Sequence, residues 1–106
     1  MNLIFIGDVV GRGGREAVKK LVPELRREFN AQFVVVNAEN SAAGAGLTAS
    51  CAADLLTAAD VLTAGDHVWD QRGFDSEIAR LDRVIRPANL HAKQPGRGWG
   101  VFRNPA

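Results

Sequence analysis

Four short apolar segments recur along the chain, separated by longer stretches with helical periodicity. They comprise Asn2 to Ile6, Phe33 to Val36, Val61 to Ala64 and Val84 to Ile85. Short buried strands that alternate with helices are typical of βαβ units, in which the strands are parallel and the crossovers are right-handed. The order β-α-β-α-β-α-β therefore predicts an α/β layer structure built on a parallel sheet.

The stretches between these segments carry helix signals. Apolar residues over positions 18–29 recur at helical spacing, and Pro23 among them is expected to kink or restart the helix. Thr48 is the expected N-cap of an Ala-rich helix that reaches about Ala59, and positions 74–81 have one or two turns of helical periodicity. A further strand is expected to begin near position 101, so that the sheet looks unfinished.

Length and composition fit one small globular domain. The 106 residues include 46% apolar and 24% charged residues, which argues against disorder. The formal net charge of +1 gives no electrostatic reason for an obligate nucleic-acid partner or an anionic membrane. The single cysteine, Cys51, excludes an internal disulfide and suits a reducing compartment. Since no targeting segment or membrane span is apparent, we expect a cytoplasmic protein.

Residues of the kinds that bind metals follow each of the first three strands. Asp8 follows the first, Glu39 and Asn40 follow the second, and the pair Asp66 and His67 follows the third. The C-terminal ends of parallel strands meet at one edge of a sheet, so we expect these side chains to converge there. Carboxylates without cationic partners repel one another unless a metal separates them, and oxygen donors with imidazole suit Mn, Fe, Zn or Mg. The spacing alone leaves open a divalent-metal site or ordinary turn and cap residues.

Two other stretches each allow two interpretations. The glycine-rich stretch Gly11–Gly14 precedes a helix whose first turn carries Arg15, which allows a phosphate cradle, although glycines that ease a tight turn are the favoured interpretation. Its spacing matches neither the P-loop nor the dinucleotide fingerprint. Arg86 and Asn89 lie in the turn after the fourth strand, at the same edge as the metal-binding candidates. They are candidates for substrate binding, or simply part of a turn that ends the strand.

The segments around these residues resemble one family closely, the YmdB-like branch of the calcineurin-type metallophosphoesterases. The matching stretches are IFIGDVVG, VVNAENSA followed by GLT, TAGDHVWD, and RPAN followed by PGRGW. They occur in the family's order and spacing and cover essentially the whole chain. The resemblance implies that residues 1–106 are the N-terminal part of a single metallophosphoesterase domain, a four-layer αββα sandwich, with the C-terminal half absent. It also implies two divalent metal ions and hydrolysis of phosphodiesters, with 2′,3′-cyclic nucleotides as substrates.

The resemblance further implies a role for each candidate residue. Asp8 and Asn40 would ligate the first metal, Glu39 would bridge the two metals, and Asp66 would belong to the second. His67 would contact the phosphate as the general acid, and a hydroxide held between the metals would be the nucleophile.

The chain departs from the family's pattern at two points. The family has Asn where this chain has Asp66, so a carboxylate replaces a group that can donate a hydrogen bond to phosphate. The family also takes further histidine ligands from its C-terminal half, whereas His67 and His91 are the histidines of this chain. We therefore expect a fragment of a longer protein, or a site completed by another chain, as in a homo-oligomer.

Three functions remain open at this point. The first is a metal-dependent phosphodiesterase that acts on a small phosphoester or cyclic nucleotide. The second is a non-catalytic regulatory module that binds a nucleotide or a metal. The third is a mononucleotide-binding domain that uses the glycine-rich stretch, and it differs from the other two in requiring no metal.

Overall fold

The computed structural model describes residues 1–104, in which strands and helices alternate as predicted. The elements are β1 (Leu3–Ile6), α1 (Gly11–Glu28), β2 (Phe33–Asn37), α2 (Ala49–Leu56), β3 (Val61–Thr63), α3 (Phe74–Glu77), a 3₁₀ turn (Ile78–Arg80) and β4 (Val84–Ile85). None of the helices in this part of the chain is long and apolar enough to cross a membrane.

The four strands form one parallel sheet in the order β1-β2-β3-β4. Each strand pairs with the next one along the chain: Ile6 lies opposite Val36 in β2, and Leu62 in β3 lies opposite Val84 in β4. Because every new strand is added on the same side, right-handed crossovers place all the connecting helices on one face of the sheet. The predicted α/β fold with a parallel sheet is confirmed.

The hydrophobic core lies between that face and the helices. It combines Val34, Val36, Leu62 and Val84 of the sheet with Val18 and Val22 of α1, Ala52 and Leu55 of α2, Phe74 of α3 and Ile78 of the 3₁₀ turn. The opposite face of β1 carries Leu3 and Phe5, which are 54% and 58% exposed. An apolar sheet face is therefore open to solvent at the β1 side of the described structure.

Helix α1 begins earlier than the sequence suggested. Gly11–Gly14, expected to form a turn before the helix, forms the first helical turn, and the helix runs through Pro23 without interruption. Gly14 is glycine for a packing reason, since a Cβ there would lie 3.0 Å from Cγ1 of the buried Val9. Proline removes one helical hydrogen bond, but Val22 beside it is buried in the core and holds this turn in place.

Three other predicted elements agree only in part with the structure. Thr48 caps α2 as predicted, its Oγ1 accepting a hydrogen bond from the Cys51 N–H at 3.1 Å, although α2 ends at Leu56 rather than near Ala59. The helix expected over 74–81 is split into α3 and the 3₁₀ turn. No strand forms near position 101 within the described residues.

Asp54 on α2 binds two cations of α1, and this contact predicts a pH-dependent contribution to stability. Its carboxylate lies 2.8 Å from Lys19 Nζ and 3.3 Å from Arg15 Nε. The hydrogen bond from Lys19, followed by the Lys19 charge and Arg15, outweighs desolvation and lowers the pKa of Asp54. We expect Asp54→Asn to lower the free energy of unfolding at neutral pH by at most about 1 kcal/mol, since the pair is partly exposed to solvent.

The sign of the pH dependence follows from the lowered pKa of Asp54. A carboxyl whose pKa is lower in the folded state adds stability above its ordinary pKa of about 4. That contribution is lost as the pH falls through the lowered pKa. Urea unfolding of the wild type and Asp54→Asn across this range should therefore show a difference at neutral pH that disappears in acid. Asp82→Asn, at an exposed position, is the control, and a difference that persists in acid would contradict the assignment.

Candidate metal centre

The chain segments that follow β1 and β2 run side by side at the C-terminal edge of the sheet. The Val9 N–H donates a hydrogen bond to the Asn37 carbonyl at 3.3 Å, and Val10 forms a parallel bridge with Asn40. Asp8, directly before this contact, therefore lies beside the segment after β2. Its φ of +60° is in the left-handed region, which is uncommon for a residue other than glycine and is enriched at functional sites.

Three of the candidate side chains converge at this edge. Donor atoms of Glu39, Asp66 and His67 all lie within 4.8 Å of one another. The main-chain N–H of His67 donates to Glu39 Oε2 at 3.2 Å. The imidazole Nε2 of His67 lies 3.8 Å from Asp66 Oδ1. The His67 and Asp66 side chains are 46% and 88% exposed, so a ligand can approach this group from solvent.

Gly65 determines where the Glu39 carboxylate can lie. A Cβ at position 65 would be 2.5 Å from both carboxylate oxygens of Glu39, so the carboxylate rests against the bare main chain at the end of β3. Sequence reasoning did not single out Gly65. The available signal was a glycine directly before the Asp66 and His67 pair.

Asp70 orients the imidazole of His67. The Asp70 carboxylate lies 2.8 Å from His67 Nδ1, and the Asp70 N–H donates to the His67 carbonyl at 3.0 Å, so both residues belong to one tight turn. The hydrogen bond to Asp70 comes first among the causes that raise the pKa of His67, followed by the Asp66 charge, while desolvation opposes them. The sequence analysis also did not identify Asp70 as a site residue, although its position three residues after His67 was an available signal.

Asn40 lies at the start of a loop that is held from two sides. Its Oδ1 accepts a long hydrogen bond of 3.4 Å from the Gly46 N–H. Gln71 donates to the Ala45 carbonyl at 2.6 Å, which ties the loop to the segment just after His67. Because an amide oxygen has two lone pairs, the Asn40 oxygen retains capacity for a metal.

Arg86 and Asn89, the substrate-binding candidates, lie in different surroundings. The Arg86 side chain belongs to a residue only 6% exposed, and its guanidinium donates to the carbonyls of Pro95 at 2.9 Å, Pro87 at 3.0 Å and Gln94 at 3.4 Å. These bonds hold the loop after β4 against the strand. Asn89 is exposed in the turn that follows, so it is the more accessible of the two candidates.

The phosphate cradle considered at the start of α1 combined main-chain N–H groups with the cation of Arg15. Its guanidinium instead binds Asp54 of α2 at 3.3 Å and donates to the Ser41 carbonyl, and the side chain is 18% exposed. The cation is therefore engaged between elements of the fold. This arrangement favours the interpretation that Gly11–Gly14 serves the packing of α1.

Carboxylate, carboxamide and imidazole groups thus follow neighbouring parallel strands, the position at which open α/β proteins bind their ligands. This defines an α/β domain with a candidate ligand site at the C-terminal edge of its sheet. Within that class the chain belongs to the YmdB-like protein family, whose model matches residues 4–106.

The relatives of this chain include proteins whose names describe an activity. The chain is 40% identical over 99 residues to a 2′,3′-cyclic-nucleotide 2′-phosphodiesterase of Bacillus subtilis, and the match covers 92% of this chain and 38% of the relative. It is 34% identical over 91 residues to a putative phosphatase/phosphodiesterase of Mycoplasma pneumoniae, covering 85% of this chain and 32% of the relative. The chain therefore spans between about a third and two fifths of the length of these relatives.

Two solved structures have the same fold over this region. A hypothetical protein from Thermus thermophilus superimposes with a TM-score of 0.83 at 34% identity, covering 93% of this chain and 39% of that one. A novel phosphatase from Mycoplasma pneumoniae also gives a TM-score of 0.83, at 33% identity, covering 96% of this chain and 38% of that one. The fold described above is thus shared with part of a larger phosphatase structure.

Proposed function

We propose that this chain carries the N-terminal part of the active site of a metal-dependent phosphoesterase that hydrolyses phosphodiesters, 2′,3′-cyclic nucleotides among them. The convergence of Glu39, Asp66 and His67 donor atoms within 4.8 Å of one another carries this proposal. The name of the Bacillus subtilis relative supports the cyclic-nucleotide substrate.

The donor set suits divalent metal ions. The carboxylates of Glu39 and Asp66 offer oxygen ligands that fit Mn, Fe, Zn or Mg, and the imidazole of His67 lies beside them. In the proposed site Asp8 and Asn40 would hold one ion, Asp66 would contribute to a second, and Glu39 would serve both. Two ions bound there would lower the pKa of a bound water and offset negative charge on the phosphoryl oxygens.

His67 is suited to proton transfer to the leaving group. Its Nδ1 is engaged by Asp70, whereas its Nε2 faces the carboxylate group. The surrounding carboxylates raise the pKa of His67 and so favour the imidazolium form, which can donate a proton from Nε2. We propose that His67 is the general acid, and that Arg86 and Asn89, in the turn after β4, contribute to substrate binding.

We also infer that residues 1–106 are the N-terminal part of one larger, four-layer domain. The exposed apolar side chains of Leu3 and Phe5 support a covering layer on that face of the sheet. The relatives, of which this chain matches 38% and 32%, are long enough to supply one. A second copy of the chain could cover the same face, and sedimentation of the isolated chain separates these alternatives.

A non-catalytic metal- or nucleotide-binding module is the second candidate function. Asp66 favours it, because a carboxylate at this position places negative charge where a phosphate oxygen would approach. Hydrolysis by the full-length protein decides between the two functions.

Calorimetric titration of the chain with Mn²⁺ tests the site directly. We expect Glu39→Gln to weaken Mn²⁺ binding by more than about 10-fold, because a central carboxylate is removed. Even the loss of a residue that only hydrogen-bonds to a metal ligand typically lowers metal affinity by about 10–100-fold. Glu24→Gln, at an exposed position on α1, should bind Mn²⁺ like the wild type. Equal affinity of wild type and Glu39→Gln would contradict the site, and Mn²⁺ binding without hydrolysis of a 2′,3′-cyclic nucleotide by the full-length protein would favour the second function.

A further inference from the structure

We propose that Asp70 is a positioning residue for His67, accepting the Nδ1 proton of the imidazole so that Nε2 is presented to the site formed with Glu39 and Asp66. The catalytic consequence rests on the proposed function, in which His67 acts on the phosphate. The structural consequence, the position of one proton on the ring, can be measured without any activity.

The two nitrogens of the ring face two different carboxylates. Nδ1 lies 2.8 Å from Asp70 Oδ2, which is a hydrogen-bond distance, whereas Nε2 lies 3.8 Å from Asp66 Oδ1, which is not. An ionised carboxylate only accepts hydrogen bonds, so the proton in the short contact belongs to Nδ1. The neutral ring then presents a lone pair at Nε2, and the protonated ring presents its transferable proton there.

The turn that carries this pair is anchored on both sides. Val68, between the two residues in sequence, is 1% exposed, and its N–H donates to the Gly65 carbonyl at 3.0 Å. Trp69 packs against Phe74 with 6.3 Å between ring centroids, and its indole N–H donates to Gln94 at 2.8 Å. The turn is therefore fixed by the core, and the hydrogen bond to Asp70 controls the remaining rotation of the imidazole.

His91 supplies a reference of the opposite kind in the same chain. Its Nδ1 accepts a hydrogen bond from the Lys93 main-chain N–H at 3.1 Å. A main-chain N–H only donates, so the neutral His91 ring carries its proton on Nε2. The two histidines of the sequence are thus expected to be opposite tautomers.

Long-range ¹H–¹⁵N correlation spectra of the ¹⁵N-labelled chain, recorded at a pH at which both rings are neutral, test the proposal. We expect the proton of His67 on Nδ1 and that of His91 on Nε2. Asp70→Asn keeps the shape of the side chain but adds an N–H donor that can bond to Nδ1, so His67 should lose its preference for the Nδ1 proton while His91 remains unchanged. A wild-type spectrum with the His67 proton on Nε2 overturns the proposal. So does an Asp70→Asn spectrum in which the His67 signals are the same as in the wild type.

Activity of the full-length protein provides the functional readout. We expect Asp70→Asn to lower kcat by about 10–100-fold, the range seen for carboxylates that orient a histidine at a metal site. KM and Mn²⁺ affinity should stay within about twofold, and Asp82→Asn should leave all three unchanged. A tautomer change without loss of kcat overturns the catalytic part of the proposal. A full-length wild type without hydrolytic activity refutes the proposed function, whereas the tautomer measurement still decides the placement of the His67 ring.

Discussion

Alanine at position 65 should strongly weaken metal binding while leaving the fold intact. The φ of Gly65 lies outside the left-handed region, so the main chain can accept alanine without strain. The added Cβ would lie 2.5 Å from both oxygens of Glu39, well inside contact distance. The carboxylate is the free end of a flexible side chain and can move aside at little cost in stability. It then leaves the position in which it lies close to Asp66 and His67.

We expect Gly65→Ala to reduce the Mn²⁺ affinity of the chain by at least about 10–100-fold, as for other changes that displace a ligand. The free energy of unfolding should fall by only about 1 kcal/mol, because the hydrogen bond from the His67 N–H to Glu39 is lost. Calorimetric titration and urea unfolding measure the two quantities on the same sample. Gly13→Ala is the matched control, since a Cβ there meets nothing within 4 Å. Unchanged Mn²⁺ affinity in Gly65→Ala would mean that Glu39 does not hold the metal.

The elements that could be predicted from sequence are those whose signals are local. The apolar segments identified all four strands, and Thr48 identified the start of α2, because burial and capping act through residues close in the chain. The predicted start of α1 was wrong. Glycine is needed at position 14 because the helix packs closely against Val9 there, and this contact cannot be read from the local sequence. The strand expected near position 101 does not form among the described residues, because a short apolar run does not by itself determine whether a segment pairs with a sheet edge.

The candidate site likewise has features that could be predicted from sequence and features that could not. The convergence of Glu39 and Asp66 could be predicted because parallel strands bring their C-terminal ends to one edge. The part played by Gly65 could not, because it depends on the Glu39 side chain, which follows a different strand. The contact between Asp70 and His67 could have been predicted from sequence, since a carboxylate three residues after a histidine can contact its imidazole across a single turn.

Under the proposed function, Asp66→Asn is expected to raise turnover by the larger protein inferred above. The Asp66 side chain is 88% exposed, and its Oδ1 lies 3.8 Å from the histidine nitrogen proposed to act on the substrate. An ionised carboxylate there repels an approaching phosphate and offers it no hydrogen bond. Asparagine keeps one oxygen for a metal and adds an N–H donor, and a preorganised donor of this kind is worth about 10²–10³ in rate.

The same substitution should act in opposite directions on catalysis and on metal binding. Removing one negative charge from a group that also contains Glu39 weakens the attraction for a divalent cation, so Mn²⁺ affinity should fall while kcat for a 2′,3′-cyclic nucleotide rises. The pKa of His67 should fall as well, because the Asp66 charge is one of the causes that raise it. Asp75→Asn, at an exposed position in α3, should change none of the three quantities. An unchanged kcat in Asp66→Asn would show that residue 66 does not face the phosphate. Lower Mn²⁺ affinity with unchanged kcat would restrict its role to holding the metal.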